Sequence, residues 1–166
     1  MPQTYFPEAG HNHERCKLTI LAIAEKRCRD NGVRFTPQRR QVLEILAQSH
    51  RALGAYDILE RFQPNREGRT APVTIYRALD FLMENQLAHR LSSLNAFVAC
   101  SRQHDGPDVQ FLVCNSCQSV AELSTPTLHQ AIHQEVDSAD FTITTPLVEI
   151  GGICSTCQQD GRDHGH

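Results

Sequence analysis

The sequence predicts an α+β protein in which an N-terminal winged helix-turn-helix is followed by a C-terminal α/β unit with a zinc site of four cysteines. Apolar residues recur at helical spacing through the first half, and a hairpin pattern closes it. The second half alternates strand-like and helical stretches between two CxxC pairs. We therefore expect residues 1–92 to form the first domain, with 1–16 as a flexible end, residues 93–158 to form the second, and 159–166 to be a disordered tail.

The composition is typical of a folded cytoplasmic protein. The chain has 166 residues, of which 40% are hydrophobic, so it can bury a real core. The apolar stretch over residues 18–24 is too short to span a bilayer, and the residues before it lack the features of a signal peptide. Seven cysteines in such a chain favour metal ligation over disulfides, because cytosolic thiols are kept reduced.

Charge is divided unevenly along the chain. Residues 1–92 hold 14 basic and 10 acidic groups (net +4), whereas residues 93–166 hold 2 and 9 (net −7). A basic first half indicates contact with a polyanion, although a solvated charged face would give the same balance.

Four helices are predicted in the first half. The first covers residues 16–31 and ends at an Asn-Gly pair, which commonly stops a helix. The second begins after Thr36, a good N-cap that precedes proline at the first helical position. A third, short helix follows Gly54, and the fourth runs from about residue 71 to residue 85.

The fourth helix is predicted to expose Arg77. At helical spacing its apolar residues form one face, made of Ile75, Ala78, Leu79 and Leu82. Two short strands around the turn SSLN then predict a hairpin. Helices followed by a hairpin are the layout of a winged helix-turn-helix, whose last helix can present an arginine to guanine in the major groove. The alternative is a small helical domain whose arginines are only solvated.

The second half is predicted to be an α/β unit clipped together by its cysteines. QFLVC and VAEL are predicted strands, Thr125 caps a helix, and FTITTPLVEIGG is a predicted strand that leads to the second pair. Two CxxC pairs can supply a tetrahedron of thiolates, namely Cys114, Cys117, Cys154 and Cys157. A thioredoxin-like dithiol is the alternative, but that motif needs a single pair at a helix N-terminus. Closed structural zinc is therefore favoured.

The spacing between the two pairs has a structural explanation. The 36 residues that separate them exceed the gap of an ordinary zinc ribbon. This excess is expected if the clip joins the beginning of a strand-helix-strand unit to its end.

A second candidate ligand set surrounds Cys100. One thiolate, two imidazoles and one carboxylate would favour zinc over the harder manganese or magnesium. The set is His89 on the hairpin, Cys100, His104 in the linker and Glu122 on a strand. Each histidine also has an ordinary explanation as a surface or core residue. His129 and His133, one turn apart on the later helix, are predicted to be surface residues, and Cys16 and Cys28 to be small buried side chains.

Three stretches of the first half carry a family resemblance: RFTPQRRQVLEIL, AYDIL and APVTIYRALDFLMENQLAHR. Together with the two CxxC pairs, they resemble the ferric uptake regulator family of metal-responsive bacterial repressors over residues 17–158. Within that family, AYDIL, YRALDFL and the approach NAFVAC to Cys100 most resemble the zinc uptake regulator branch.

This resemblance implies a C-terminal α/β dimerisation domain and two zinc ions per subunit. It assigns structural zinc to Cys114, Cys117, Cys154 and Cys157, and regulatory zinc to His89, Cys100, a linker histidine and Glu122. It also implies that Tyr56 and Arg77 read bases and that Tyr76 and nearby basic residues hold the DNA backbone. Thr74 completes the predicted DNA-binding set.

The implied function is that of a zinc-responsive repressor. It would bind palindromic operator DNA as a homodimer and repress zinc-uptake genes, with no enzymatic activity, no small-molecule substrate and no membrane partner. The same fold sensing iron or peroxide is the nearest alternative. A zinc-binding redox, hydrolytic or buffering protein without a DNA role is a more distant one, and no HExxH helix supports hydrolysis.

The chain departs from the family pattern at the third regulatory ligand. The family usually places a histidine seven residues before the first knuckle cysteine, and here that residue is Pro107. Either the linker takes a different path that brings His104 to the metal, or Asp105 or Asp108 substitutes for the histidine.

Overall fold

The computed structural model describes residue 6 and residues 13–62, 70–101, 109–123, 125–144 and 147–163, with only the backbone described for 160–163. These residues contain the helices α1 (His13–Asp30), α2 (Pro37–Leu46), α3 (Ala55–Arg61), α4 (Pro72–Glu84), α5 (Pro126–Ser138) and α6 (Ser155–Asp163). The strands are β1 (Ala88–Leu91), β2 (Ala96–Ala99), β3 (Val109–Cys114), β4 (Val120–Leu123) and β5 (Leu147–Gly152). None of these helices combines the length and the apolar character that a bilayer span requires.

The chain divides into an N-terminal and a C-terminal unit between Gln103 and His104. The sequence predicts a boundary after residue 92, but the division falls later, after the hairpin. The reason is that β2 pairs antiparallel with β1, and that Leu53 also pairs with Phe97 of β2. A boundary after residue 92 would separate the two strands of one hairpin.

Helix α1 starts earlier than predicted and stops where predicted. It begins at His13, so the predicted flexible end over residues 1–16 extends too far along the chain. At its other end Gly32 adopts a left-handed φ of 65°, and the N–H of Val33 donates to the carbonyl of Cys28 at 2.9 Å. Glycine suits this conformation because it has no Cβ to clash.

The caps of α2 and α3 follow from their sequences. The Thr36 hydroxyl accepts a hydrogen bond from the N–H of Arg39 at 3.4 Å, which confirms the predicted N-cap. Gly54 has no side chain to cap α3, and instead its N–H donates to the Asp57 carboxylate at 3.0 Å.

The core of the N-terminal unit joins α1 to α4 with the hairpin. It includes Leu21, Leu43, Leu46, Ile58, Ile75, Leu79, Leu82 and Leu87. The predicted apolar face of α4 is confirmed, and Phe81 of the same helix is buried as well. Burial of large aliphatic side chains contributes about 1.5–3 kcal/mol each.

The C-terminal unit is a three-stranded sheet in the order β4-β3-β5. β3 pairs antiparallel with β4 and parallel with β5, and a parallel pair requires a crossover, which α5 supplies. The predicted strand FTITTPLVEIGG is too long, because the described strand is only Leu147–Gly152. Phe141 lies outside it and is 66% exposed.

Helices α5 and α6 also differ from expectation. Thr125 occupies the N-cap position of α5, but its side chain makes no capping hydrogen bond. Its N–H is within 3.4 Å of the Oε1 of Gln110, a buried residue of β3, which accepts the hydrogen bond. Helix α6 continues to Asp163, so the predicted disordered tail over residues 159–166 is wrong for its first part.

Candidate metal centres and nucleic-acid interface

The parallel register of β3 and β5 assembles the four cysteines of the C-terminal unit. Cys114 at the end of β3 pairs with Gly152 at the end of β5, so Cys154 follows at the same edge of the sheet. The four Sγ atoms of the two CxxC pairs all lie within 4.8 Å of one another, and none of these thiols forms a disulfide. This confirms that the clip joins the beginning of the unit to its end.

The sulfur geometry fits a tetrahedral zinc ion. The Sγ atoms of Cys117 and Cys154 are 3.8 Å apart. Zinc–sulfur bonds of about 2.3 Å in a tetrahedron place neighbouring sulfurs about 3.8 Å apart. Four thiols at this spacing fit the donor set of a closed structural zinc site.

Backbone hydrogen bonds shape the first knuckle. The N–H of Gln118 donates to the carbonyl of Cys114, and the N–H of Cys114 donates to the carbonyl of Ser119, both at 2.9 Å. Gln118 reaches this turn with a left-handed φ of 59°. The N–H of Asn115 donates to Gly152 at 2.8 Å, which joins the knuckle to β5. Prediction from the sequence identified the cysteines but none of these supporting residues, because their role depends on the turn.

Local hydrogen bonds prepare Cys114 to be a thiolate. Burial by itself raises the pKa of this thiol, but backbone N–H groups of Cys117, Cys154 and Ser116 outweigh it and lower the pKa to about 6. The N–H of Cys154 lies 3.4 Å from the Cys114 sulfur. The thiolate is the metal-binding form of cysteine, so this environment favours metal binding.

The pKa values of two further thiols of the cluster depend on neighbouring groups. Burial raises the pKa of Cys117, but the hydroxyl and N–H of Ser119 outweigh it and lower the pKa. The Ser116 hydroxyl lowers the pKa of Cys157, yet the sulfurs of Cys154 and Cys117 outweigh it and raise the pKa to about 12. Negative charge on one sulfur therefore disfavours charge on the next, and a dication bound among them would relieve that repulsion.

Two members of the second predicted set come together on the hairpin of the N-terminal unit. His89 lies half-buried on β1, and Cys100 lies buried directly after β2. The N–H of Cys100 donates to the carbonyl of Leu87 at 2.9 Å, which holds the end of β2 against the start of β1. A ring nitrogen of His89 lies within 4.8 Å of the Cys100 sulfur, close enough for both to bind one ion.

The other members of this set belong to the C-terminal unit or lie outside the described residues. Glu122 is on β4, opposite Phe111 of β3, and is 8% exposed, which is unusual for a carboxylate. His104, Asp105, Pro107 and Asp108 all fall outside the described residues. The choice of the third ligand therefore stays a prediction.

The histidines and cysteines predicted to lie outside both ligand sets are only partly where the sequence predicts them. His129 and His133 are half-buried on α5, with ring centroids 4.2 Å apart, rather than on the surface. Cys28 is buried in α1, as predicted, and burial raises its pKa despite the positive charges of Arg39 and Arg27. Cys16 is half-buried.

The predicted DNA-binding residues lie on α3 and α4 of the N-terminal unit. Arg77 is exposed, and Tyr76 and Tyr56 are 45% and 71% exposed. Thr74 is half-buried one turn before Ala78. An exposed arginine and large aromatic side chains in solvent are suited to contact a polar, anionic partner.

The fold and the cysteine cluster define a winged-helix protein with a metal-binding C-terminal unit. Residues 30–150 match the model of the ferric uptake regulator family, and the chain belongs to that family. The zinc uptake regulation protein of Escherichia coli (strain K12) is 34% identical over 140 residues, which cover 83% of this chain and 81% of that protein.

Two further comparisons span most of the chain. The peroxide-responsive repressor PerR of Staphylococcus saprophyticus is 28% identical over 133 residues, covering 78% of this chain and 86% of the repressor. A solved structure of a zinc uptake regulator complexed with zinc and DNA superposes with a TM-score of 0.81 at 31% identity. It covers 88% of this chain and 97% of its own.

Proposed function

We propose that this protein is a zinc-responsive repressor that binds operator DNA as a homodimer when zinc is abundant and so represses zinc-uptake genes. One observation carries the proposal: the hairpin that holds His89 and Cys100 directly follows α4, the helix that exposes Arg77. A ligand pair and a DNA-reading helix are thus neighbours in one unit. The relatives support this, since one is a zinc uptake regulation protein and another was solved with zinc and DNA.

The ligand chemistry favours zinc as the signal. We propose that the regulatory ion is held by His89, Cys100, His104 and Glu122, and a structural ion by Cys114, Cys117, Cys154 and Cys157. A thiolate with imidazole and carboxylate ligands suits zinc better than manganese or magnesium. The peroxide-responsive relative leaves iron or peroxide sensing as the second candidate, and Cys100 is the residue that opposes it.

Local bonds connect the hairpin ligands to α4. The N–H of Leu87 donates to the carbonyl of Leu82 at 2.7 Å, and the N–H of Asn85 donates to Phe81 at 3.1 Å, so the last turn of α4 runs directly into β1. When bound, zinc would crosslink its ligands and restrict the hairpin. Any restriction of His89 and Cys100 is then transmitted to the orientation of α4. Because metal and DNA would favour the same conformer, each would tighten binding of the other by the same factor.

Exposed apolar residues of the C-terminal unit support a homodimer. Ile150 on the edge strand β5 is 42% exposed and Ile153 is 47% exposed. A self-complementary dimer would cover such residues and would place two reading helices on a palindrome. We expect Ile150→Lys to shift sedimentation toward the monomer, while Leu18→Lys, at a 64% exposed position of α1, leaves it unchanged. Equal sedimentation of both variants and wild type would exclude this face.

We propose no enzymatic role. Four thiolates fill a tetrahedral zinc site and leave no open position for a substrate. As a regulator of transcription, the protein is proposed to act in the cytoplasm, where its DNA would be found.

The test of the function is DNA binding measured by fluorescence anisotropy over a series of buffered free zinc concentrations. The duplex would be one selected by the wild-type protein from a random-sequence pool. Cys100→Ser should keep its fold and lose the zinc dependence, while Cys114→Ser should lose dimerisation. Cys16→Ser is the matched control, because Cys16 belongs to neither ligand cluster. A Cys100→Ser response equal to that of wild type would remove the sensor assignment, and equal responses to iron and zinc would favour the second candidate.

A further inference from the structure

A polar cavity of about 270 Å³ lies between the start of α2 and one side of α4. It is lined by Thr36, Gln38, Arg39, Thr74, Arg77 and Ala78. Two of these side chains are guanidinium groups, three more can donate hydrogen bonds, and none is acidic. The lining is therefore suited to an anion.

Arg39 is held in place within this lining. Its guanidinium carbon lies 3.6 Å from the ring centroid of Phe81, a buried residue of α4. Its Nη1 also donates to the carbonyl of Arg34. A guanidinium stacked on an aromatic ring and fixed by one hydrogen bond keeps its other donors available and loses little freedom on binding.

The two arginines of the cavity differ from Arg40 in their ion pairing. Within the described part of the chain, neither Arg39 nor Arg77 makes an ion pair. By contrast, Arg40 of the same helix contacts both Glu25 and Glu44. Like charges that share a small cavity repel each other, and an anion bound between them would attract both and so offset that repulsion.

We propose that this cavity seats a backbone phosphate of the operator, with Arg39 as the residue that binds it. The inference rests on the proposed function, because it takes α4 to be the helix in the major groove, whose edges are lined by phosphates. Arg77, at the edge of the cavity, then contacts both the phosphate and the bases, while Arg39 contacts only the DNA backbone. Phe81 is the positioning residue that aims the guanidinium.

Phosphate and base contacts differ in their signatures. Removing a phosphate contact weakens binding to all sequences alike and lowers the salt dependence of log K by about 0.9 per contact. We expect Arg39→Gln to lose about tenfold in affinity on both the selected duplex and a shuffled version of it, as for a lost charge-assisted hydrogen bond. Arg77→Gln should instead reduce the ratio between the two affinities.

The experiment is anisotropy of the full-length, zinc-loaded protein with both duplexes over a series of KCl concentrations. Arg29→Gln is the matched control, because it removes the same charge from α1 outside this cavity. Arg39→Lys keeps the charge but not the flat stacked group, so it should retain the salt slope and lose part of the affinity. Phe81→Leu should behave like Arg39→Lys. Zinc content and circular dichroism establish that each variant is folded.

The outcomes separate this inference from the function on which it rests. A folded Arg39→Gln with the affinity and salt slope of wild type would overturn the phosphate seat. So would a loss confined to the selected duplex, since that would make Arg39 a base contact, or an equal loss in Arg29→Gln. A wild-type protein that binds no duplex at any zinc concentration would instead overturn the proposed function.

Discussion

The two units of this protein are stabilised in different ways. The N-terminal unit encloses its apolar side chains in one cluster that draws on α1 to α4 and the hairpin. In the C-terminal unit β3 and β4 are well buried, but none of the described residues of α5 is. A small unit with so little buried surface depends on a metal or a partner for stability. We therefore expect hydrophobic burial to suffice for the first unit and the second to depend on its cysteine cluster.

Loss of the cysteine cluster gives the largest expected effect. Zinc binding at structural sites is worth about 10–16 kcal/mol in zinc-finger peptides at neutral pH, and this free energy is coupled to folding. We expect Cys114→Ser, or removal of metal by a chelator, to unfold the C-terminal unit and leave the N-terminal unit folded. Hydrogen exchange followed by mass spectrometry would report the two units separately, with Cys16→Ser as the control. Simultaneous loss of protection in both units would show that they do not differ in this way.

A cavity created by mutation in the N-terminal core should destabilise the N-terminal unit and leave the cysteine cluster intact. Leu79 of α4 is fully buried, so Leu79→Ala should lower the free energy of unfolding of that unit by about 2–5 kcal/mol. Leu18→Ala, at a position 64% exposed, should change it by less than about 0.5 kcal/mol. Urea denaturation measures the loss, and zinc content should be the same in both variants. Loss of structural zinc from Leu79→Ala would indicate that the units are stabilised jointly.

The number of protons released when zinc binds reports which cysteines of the cluster are thiols before the metal enters. Zinc binds thiolates, and the pKa of Cys157 is raised to about 12, so its proton must leave when the metal enters. We expect zinc loading of metal-free protein to release protons even one unit above the ordinary thiol pKa of about 8.5. Cys114, with a pKa lowered to about 6, should contribute little at neutral pH. Titration calorimetry in buffers of different ionisation enthalpy measures the number released.

Two outcomes of that titration are informative. Cys157→Ser should release fewer protons than wild type at the same high pH. If the wild-type protein released none there, Cys157 would already be a thiolate, and the repulsion among the four sulfurs would be weaker than the structure indicates.

The smallest effects are expected where the fold holds a residue other than glycine in a left-handed backbone conformation. Gln118 in the first knuckle and Gln86 after α4 have φ values of 59° and 55°. Glycine would remove a strain of about 1–2 kcal/mol but cost part of it in chain entropy, so we expect each substitution to stabilise its own unit by about 0.5–1 kcal/mol. Gln134→Gly, in the helical backbone of α5, should instead destabilise by about 1 kcal/mol. Equal signs in thermal melts of all three variants would contradict this account.

Local patterns explain how much of the fold could be predicted. The stop of α1 at Gly32, the cap of α2 at Thr36 and the buried face of α4 each depend on neighbours within a few residues, and all three are confirmed. The boundary after residue 92 failed because strand pairing joins residues that no local pattern connects. The disordered tail failed because α6 continues past its predicted start at residue 159.

The sequence by itself determined most of the helices and strands and the two cysteine pairs, because helical period, caps and CxxC spacing are properties of short stretches. The residues expected to read DNA followed from the resemblance of such stretches to the family. The tertiary structure alone decided which distant residues meet. Parallel pairing of β3 with β5 carries Cys154 to the sulfur of Cys114, and the hairpin brings His89 close to Cys100. The tertiary structure also places Arg39 over the ring of Phe81, a contact that no spacing along the chain predicts. Contacts between residues distant in sequence depend on how helices and strands pack, and packing is a property of the whole chain.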